Sequence, residues 1–126
     1  MVPETTELSE LRAALRPYGA RLIAISKTKP EADILELYKA GQLDFGENRV
    51  QELTDKASHL PDDIRWHLVG HLQRNKVKYI VPFVHLIHSV DSFRLLRAID
   101  KEAAREGRVI DCLLQFKIAE EETKYG

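Results

Sequence analysis

Five short apolar runs at a nearly constant spacing constrain the fold of this chain more than any other feature. The runs lie at residues 22–26, 43–45, 66–69, 85–89 and 111–117. Segments with helical periodicity follow the first four. One run and its following segment take about 22 residues, close to the minimum for a parallel strand with its crossover helix. The sequence therefore predicts an α/β fold with five parallel strands.

The predicted helices have recognisable start signals. A helix over residues 6–16 precedes the first strand, and its leucines recur on one face. Thr28 and Glu31 form a capping-box pattern that predicts a helix directly after the first strand. Residues 46–47 are predicted to open the next helix, and Asp91 is the predicted N-cap of the last one.

Two architectures fit this spacing. Eight such units would need about 180 residues, so a chain of 126 residues cannot close a complete (β/α)8 barrel. An open sheet of the flavodoxin type and part of a TIM-type barrel are both compatible with five units. Only nine residues follow Lys117, too few for the helix that would cover the last face of an open sheet. The repeating pattern thus stops part-way.

Composition excludes several classes of partner. The chain has 19 Lys and Arg against 20 Asp and Glu, and a net charge of -1 attracts neither nucleic acid nor anionic lipid. The longest apolar run, residues 79–88, is too short to span a membrane. Cys112 is the single cysteine and is predicted to lie in the core, without a disulfide. With no recognisable secretory signal, these features favour the cytoplasm.

Lys27 is the most informative residue at a predicted strand end. Both architectures place their functional site at the carboxyl ends of the strands. Lys27 continues the row of Ile23 and Ile25 on one side of the first strand. Burial and the neighbouring Lys29 would lower the pKa of its amine and prepare it for Schiff-base chemistry with an aldehyde. A lysine that extends from a strand end into solvent is the alternative.

Other polar residues at strand ends carry weaker signals. Asn48 can orient a ring or simply cap a helix. His67 and His71 are four residues apart, but no third ligand lies nearby at a suitable spacing, so we assign no metal site. Residues 88–91 contain histidine, serine and aspartate, yet adjacent strand residues point to opposite faces, which argues against a catalytic triad. No glycine-rich phosphate motif occurs.

Four ordered motifs identify a family resemblance. They are AISKTKP at 24–30, FGEN followed by QE at 45–52, WHLVGHLQRNK at 66–76 and HSVDS at 88–92. Together they resemble the pyridoxal-phosphate homeostasis proteins. The resemblance implies a barrel similar to the N-terminal domain of alanine racemase, with pyridoxal 5'-phosphate as the cofactor.

The resemblance also implies roles for individual residues. Lys27 matches the lysine that holds the cofactor as a Schiff base, and Asn48 matches the asparagine beside the cofactor ring. His71 and Ser89 match positions that line the pocket. No catalytic residue is implied: racemisation needs acid/base groups on both faces of the substrate carbon, and no such pair is recognisable. The expected role is cofactor binding and homeostasis.

The resemblance covers only part of the family's barrel. The family barrel is about twice as long as this chain, and the residues that bind the cofactor's phosphate lie in the other half. We therefore expect residues 1–126 to be a single partial barrel domain, the N-terminal half. Its open strand edges predict self-association. The alternative function is a half-barrel fragment, truncated or engineered, that self-associates and does not bind the cofactor tightly.

Overall fold

The computed structural model describes residues 5–118 and consists of alternating helices and strands. The elements are α1 (Thr5–Leu15), β1 (Ala24–Ile25), α2 (Glu31–Lys39), β2 (Asp44–Glu47), α3 (Val50–His59), β3 (Arg65–Leu68), α4 (Val77–Ile80), β4 (Leu86–Val90), α5 (Phe93–Arg105) and β5 (Asp111–Leu114). In this part of the chain, no helix is both long enough and apolar enough to cross a bilayer. The expected domain also includes residues 1–4 and 119–126, which lie outside the described residues.

The order of the strands distinguishes between the two predicted architectures. All neighbouring strands are parallel, and the order in the sheet is β1-β2-β3-β4-β5. A flavodoxin-type sheet would place the first strand between the second and the third. Sequential parallel order is the arrangement found in a (β/α) barrel. The partial barrel of five βα units, preceded by an N-terminal helix, is therefore confirmed.

The apolar core lies between the sheet and its helices. Alternate strand residues face the helices, among them Phe45 and Trp66, whose ring centroids are 5.9 Å apart. They pack with Ile34, Leu53 and Ile99 from three of the helices, in one buried cluster. The other set of alternate residues faces the opposite side of the sheet, which we call the inner face because it corresponds to the interior of a barrel.

The loop after β1 differs from its prediction. Helix α2 begins at Glu31, and Pro30 precedes it without a side-chain cap. The Thr28 hydroxyl donates to the Lys27 carbonyl oxygen, so the predicted capping box is wrong. Thr28 has a φ of 61°, a conformation that a β-branched residue rarely adopts. The predicted helix start at residues 46–47 is also wrong, because both residues belong to β2.

Three predictions for the last helix and the last strand are corrected as well. The side chain of Ser92, and not that of Asp91, accepts the Leu95 N–H and caps α5. Strand β5 ends at Leu114 and not at residue 117. Cys112 is only half-buried, because β5 pairs with β4 on one side and its residues are mostly exposed.

The cap of α5 provides a test of this assignment. Ser92→Ala leaves an N–H group in the first turn of α5 without its partner, so the free energy of unfolding should fall by about 1 kcal/mol. Asp91→Ala, one residue earlier, is the matched control and should change it far less. Urea denaturation measures both. Equal losses in the two variants would contradict the assignment of the cap.

Candidate functional site

Lys27 lies in a tight turn at the carboxyl end of β1. The turn begins at Ser26, whose carbonyl oxygen accepts the Lys29 N–H at 3.0 Å. The Ser26 N–H donates to the Gly46 carbonyl oxygen at 2.9 Å, which joins the turn to β2. Lys27 is exposed, so the burial expected from the apolar row before it is not present among the described residues. The turn itself nevertheless has an ordered set of contacts.

A cluster of charged side chains supports this turn from the helix side of the sheet. Glu47 is fully buried at the end of β2, and its Oε2 accepts the Ser26 hydroxyl and the Lys56 ammonium, the latter at 2.8 Å. Lys56 on α3 also donates to the Ser26 carbonyl oxygen at 2.7 Å and to Glu52 at 2.7 Å. Glu52 Oε2 accepts the Thr28 N–H at 2.6 Å. Sequence analysis missed these contacts, although Glu47 and Glu52 lie within the family motif.

The electrostatics of this cluster follow from burial and pairing. Burial raises the pKa of Glu47, and the hydrogen bonds from Lys56 and Ser26 only partly oppose that effect. For Glu52, burial also acts to raise the pKa, but the bonds from Lys56 and from the Thr28 N–H outweigh it, and the net pKa is lowered. A buried ammonium of this kind needs all of its hydrogen bonds satisfied. Lys56 has three acceptors for its three protons.

Three predicted site residues lie at the ends of neighbouring strands. Asn48 follows β2 directly and is half-buried. A Cβ atom at Gly70 would lie 2.2 Å from the Asn48 carbonyl oxygen, so only glycine permits this approach of the two chain segments. Ser89 is buried in β4, and its hydroxyl donates to the Gly70 carbonyl oxygen at 2.5 Å. His71 follows Gly70 and is exposed. These contacts join the ends of β2, β3 and β4.

The inner face next to these strand ends is apolar. A Cβ atom at Gly46 would approach Ile25 Cδ1 to 2.9 Å, Ile23 Cγ2 to 3.3 Å and Val69 Cγ1 to 3.4 Å. These three side chains occupy the space that a Gly46 side chain would need. Ile25 is half exposed, so its surface is open to the interior of the barrel. We call this surface the apolar floor.

An open polar cleft adjoins the site beyond the ends of β2 and β3. It has a volume of about 780 Å³ and is lined by Asn48, His71, Arg49, Lys76 and five uncharged residues of α3 and the α4 region. Lys76 lies 5.9 Å above the Tyr79 ring. The cleft therefore combines two of the predicted site residues with two cations.

A chain of hydrogen-bonded side chains crosses the inner face further from the strand ends. His67 Nε2 lies 2.9 Å from Asp44 Oδ1, and His67 Nδ1 lies 2.9 Å from His88 Nε2. Burial alone would raise the pKa of Asp44, but bonds from Arg65 and His67 outweigh it and lower the pKa to about 2. Burial lowers the pKa of His67 more than the Asp44 carboxylate raises it.

These shifts determine the protonation of the chain at neutral pH. Asp44 is ionised and accepts from the Nε2–H of a neutral His67, so His67 Nδ1 accepts from His88. The pKa of His88 is likewise lowered, by burial and by His67. Sequence analysis paired His67 with His71 and dismissed His88; the signal available was the two-residue alternation that places His67 and Asp44 on the same face.

Asp44, His67 and His85 also form a group with possible metal-ligand geometry. One ligand atom from each lies within 4.8 Å of the others. Asp44 Oδ1, however, already accepts Arg65 Nε at 3.0 Å and Arg21 at 3.1 Å. Two guanidinium groups at the same carboxylate oppose the binding of a cation. The arrangement favours a structural ion-pair network.

The buried histidine chain predicts a pH dependence of stability. Below pH about 6.5 the unfolded chain takes up protons that folded His67 does not accept, so the free energy of unfolding falls with decreasing pH, by at most about 1.4 kcal/mol per pH unit for this histidine. His67→Gln should reduce this slope between pH 7 and pH 5. The exposed His59 provides the control variant His59→Gln. Urea denaturation at several pH values measures the slopes; an unchanged slope in His67→Gln would be the contrary result.

Comparison with known proteins connects this geometry to a family. No family model matches the chain. A pyridoxal phosphate homeostasis protein of Aquifex aeolicus is 45% identical over 108 residues, 85% of this chain and 47% of that protein. The Synechocystis sp. protein of the same name is 41% identical over 120 residues, 94% of this chain and 55% of its own length. The human protein of that name is 39% identical over 115 residues, 84% of this chain and 42% of its own length.

Solved structures agree with these relatives. PipY of Synechococcus elongatus, solved without PLP, is 44% identical with a TM-score of 0.88, and the match covers 97% of this chain and 57% of PipY. PipY with PLP bound is 45% identical with a TM-score of 0.84, over 91% of this chain and 55% of PipY. The chain thus spans about half the length of the curated relatives it matches. Over most of its own length, the chain is homologous to about half of a pyridoxal phosphate homeostasis protein.

Proposed function

We propose that this chain forms the lysine-bearing part of a pyridoxal 5'-phosphate site in a protein of cofactor homeostasis. The observation that carries the proposal is the position of Lys27, in the turn at the carboxyl end of β1, whose first residue is bonded to the β2 end that leads to Asn48. The PLP-bound state of PipY, 45% identical to this chain, supports the same assignment.

The residues present fit the reactive and aromatic parts of this cofactor. Pyridoxal phosphate supplies an aldehyde, and an exposed primary amine is the group that condenses with it. The Lys27 nitrogen bonds to the aldehyde carbon and the carbonyl oxygen leaves as water, which gives the Schiff base. The apolar floor of Ile23, Ile25 and Val69 offers a surface for the ring.

The other predicted residues receive roles that follow from their contacts. Asn48 lies where its amide can orient the ring or a ring substituent. Ser89 holds the Gly70 carbonyl oxygen and so keeps the ends of β3 and β4 together at the rim of the pocket. His71 lines the open polar cleft next to Asn48. These roles are binding roles, and we propose no catalytic residue and no turnover of an amino acid.

The phosphate group requires partners of its own. A dianion needs several N–H donors or an arginine to be held tightly. The relatives are about twice as long as this chain, since it covers 47% and 55% of two of them. We propose that the residues which the longer relatives have in addition supply the phosphate site. We also propose that the functional form is a cytoplasmic protein as long as those relatives.

Trapping with borohydride tests the role of Lys27. The chain is mixed with pyridoxal phosphate and reduced, and the labelled peptide is identified by mass spectrometry. Label should concentrate on Lys27 and should be lost in Lys27→Arg, because a guanidinium does not form the Schiff base. Lys29→Arg, two residues away in the same turn, is the matched control and should keep the label. Label spread over many lysines would refute the proposal, as would an unchanged binding of cofactor by Lys27→Ala in a protein of full family length.

We also propose that this chain self-associates through the open edge of its sheet. Large apolar side chains are exposed near β5, including Leu114 at 56% and Phe116 at 77% exposure, with Phe93 of α5 close by at 76%. A small apolar cleft of about 220 Å³ lies between them. An open strand edge beside apolar surface favours pairing with a second copy.

Light scattering over a range of concentrations tests the self-association. The wild-type mass should rise with concentration, and Leu114→Glu should lower the association constant by about tenfold, since it removes apolar area from the contact. Tyr18→Ser removes an aromatic residue near α1 that is still more exposed than Leu114 and should have no effect. A wild-type chain that stays monomeric throughout would disprove the proposal.

A further inference from the structure

We propose that Glu47, Glu52 and Lys56, here named the Lys56 cluster, are positioning residues that aim the Lys27 side chain at the cofactor. This inference rests on the proposed function. None of the three side chains belongs to the inner face that would hold the cofactor; they lie on the helix side of β2 and on α3. Their effect on Lys27 is transmitted through its two neighbours in the chain.

The residue before Lys27 is held at two atoms. The Ser26 hydroxyl donates to Glu47, and the Ser26 carbonyl oxygen accepts the Lys56 ammonium at 2.7 Å. Ser26 itself is buried, with 4% of its surface exposed. Both the side chain and the backbone of this residue are therefore anchored to β2 and α3, which sets the direction in which the chain enters Lys27.

The residue after Lys27 is held at its backbone N–H. This group donates to Glu52 at 2.6 Å, and the residue, Thr28, has a φ of 61°. A threonine in the left-handed region is strained and persists only where its surroundings hold it. Glu52 is the acceptor that compensates for that strain. The bond to the Glu52 carboxylate therefore fixes the direction of the main chain immediately after Lys27.

The sheet alone does not provide this support. Strand β1 has only two residues, and the Ser26 N–H to Gly46 bond is the last backbone contact with β2 before the turn. Among the described residues, the other hydrogen bonds of the turn with neighbouring elements are those with the Lys56 cluster and a long bond of 3.4 Å from the Ser26 hydroxyl to the Gly46 carbonyl oxygen. We infer that the direction of the Lys27 side chain depends on the cluster more than on strand pairing.

The cluster also separates the roles of the two lysines. The Lys56 ammonium donates to three oxygens and is 7% exposed, so it has neither a free electron pair nor access to an aldehyde. Lys27 is exposed. This difference assigns a positioning role to Lys56 and the bond with the aldehyde to Lys27. Lys56 should therefore stay unlabelled in the folded protein.

Substitution of Glu52 provides the sharpest test, because this residue lies at the edge of the cluster and its removal leaves the Glu47–Lys56 pair intact. The readouts are the ratio of borohydride-trapped label on Lys27 to that on Lys29, and the hydrogen exchange of the Thr28 N–H by NMR. Glu52→Ala should lower the label ratio and accelerate the exchange, each by about tenfold. Glu52→Gln keeps an oxygen acceptor and should restore most of both.

Controls distinguish positioning from general stability. Asp55→Ala removes an exposed carboxylate from the same helix and should leave both readouts unchanged. If Glu52→Ala accelerates the exchange but leaves the label ratio at the wild-type value, the positioning role is overturned while the proposed function stands. If hydrogen exchange of the Thr28 N–H is unchanged in Glu52→Ala, the inference that Glu52 holds Thr28 in place is overturned. A wild-type chain without label on Lys27 refutes the proposed function itself, and the positioning role with it.

Discussion

Parallel pairing of strands in the order of the sequence is the constraint on which the rest of this structure depends. It brings the carboxyl end of every strand to one rim, so that Lys27, Asn48 and Ser89, far apart in sequence, lie at or near the ends of β1, β2 and β4. It also places α2, α3, α4 and α5 on the side of the core, which leaves the inner face to a different set of residues. Site and core are thus separated by the alternation of side chains along each strand.

Buried charge is concentrated where it orders the rim. Glu47 and Lys56 replace apolar contacts in a layer that is otherwise formed by residues such as Phe45 and Leu53. A buried ion pair of this kind is rarely more stable than apolar residues of similar size. The pair instead orients the main chain of the turn after β1, because Lys56 bonds that turn to helix α3. The Asp44–His67–His88 chain adds a second polar network on the opposite face.

Periodicity predicted the α/β class and the strands well, left two architectures open, and predicted the local turns poorly. The spacing of apolar runs located all five strands, because the burial of alternate residues dominates their placement. The capping box at Thr28 was wrong because Glu52, 24 residues away, competes for the same N–H. The cap of α5 is Ser92, one residue after the predicted Asp91, and the choice between the two depends on local backbone geometry. The i,i+4 spacing of Glu52 and Lys56 was a readable signal that sequence analysis did not use, whereas the bond from Lys56 to Ser26, 30 residues away, could not be read from local spacing.

The contact at Gly70 has a consequence for redesigning the pocket. There the backbone of Asn48 occupies the volume that any side chain at position 70 would fill, so the separation of the β2 and β3 ends is determined by main-chain atoms. If Asn48 lines the cofactor site as proposed, substitution of its side chain changes the chemistry of that site without moving the main-chain scaffold beneath it. Ligand preference can be explored at this position by saturation mutagenesis, provided that the glycine opposite is left alone.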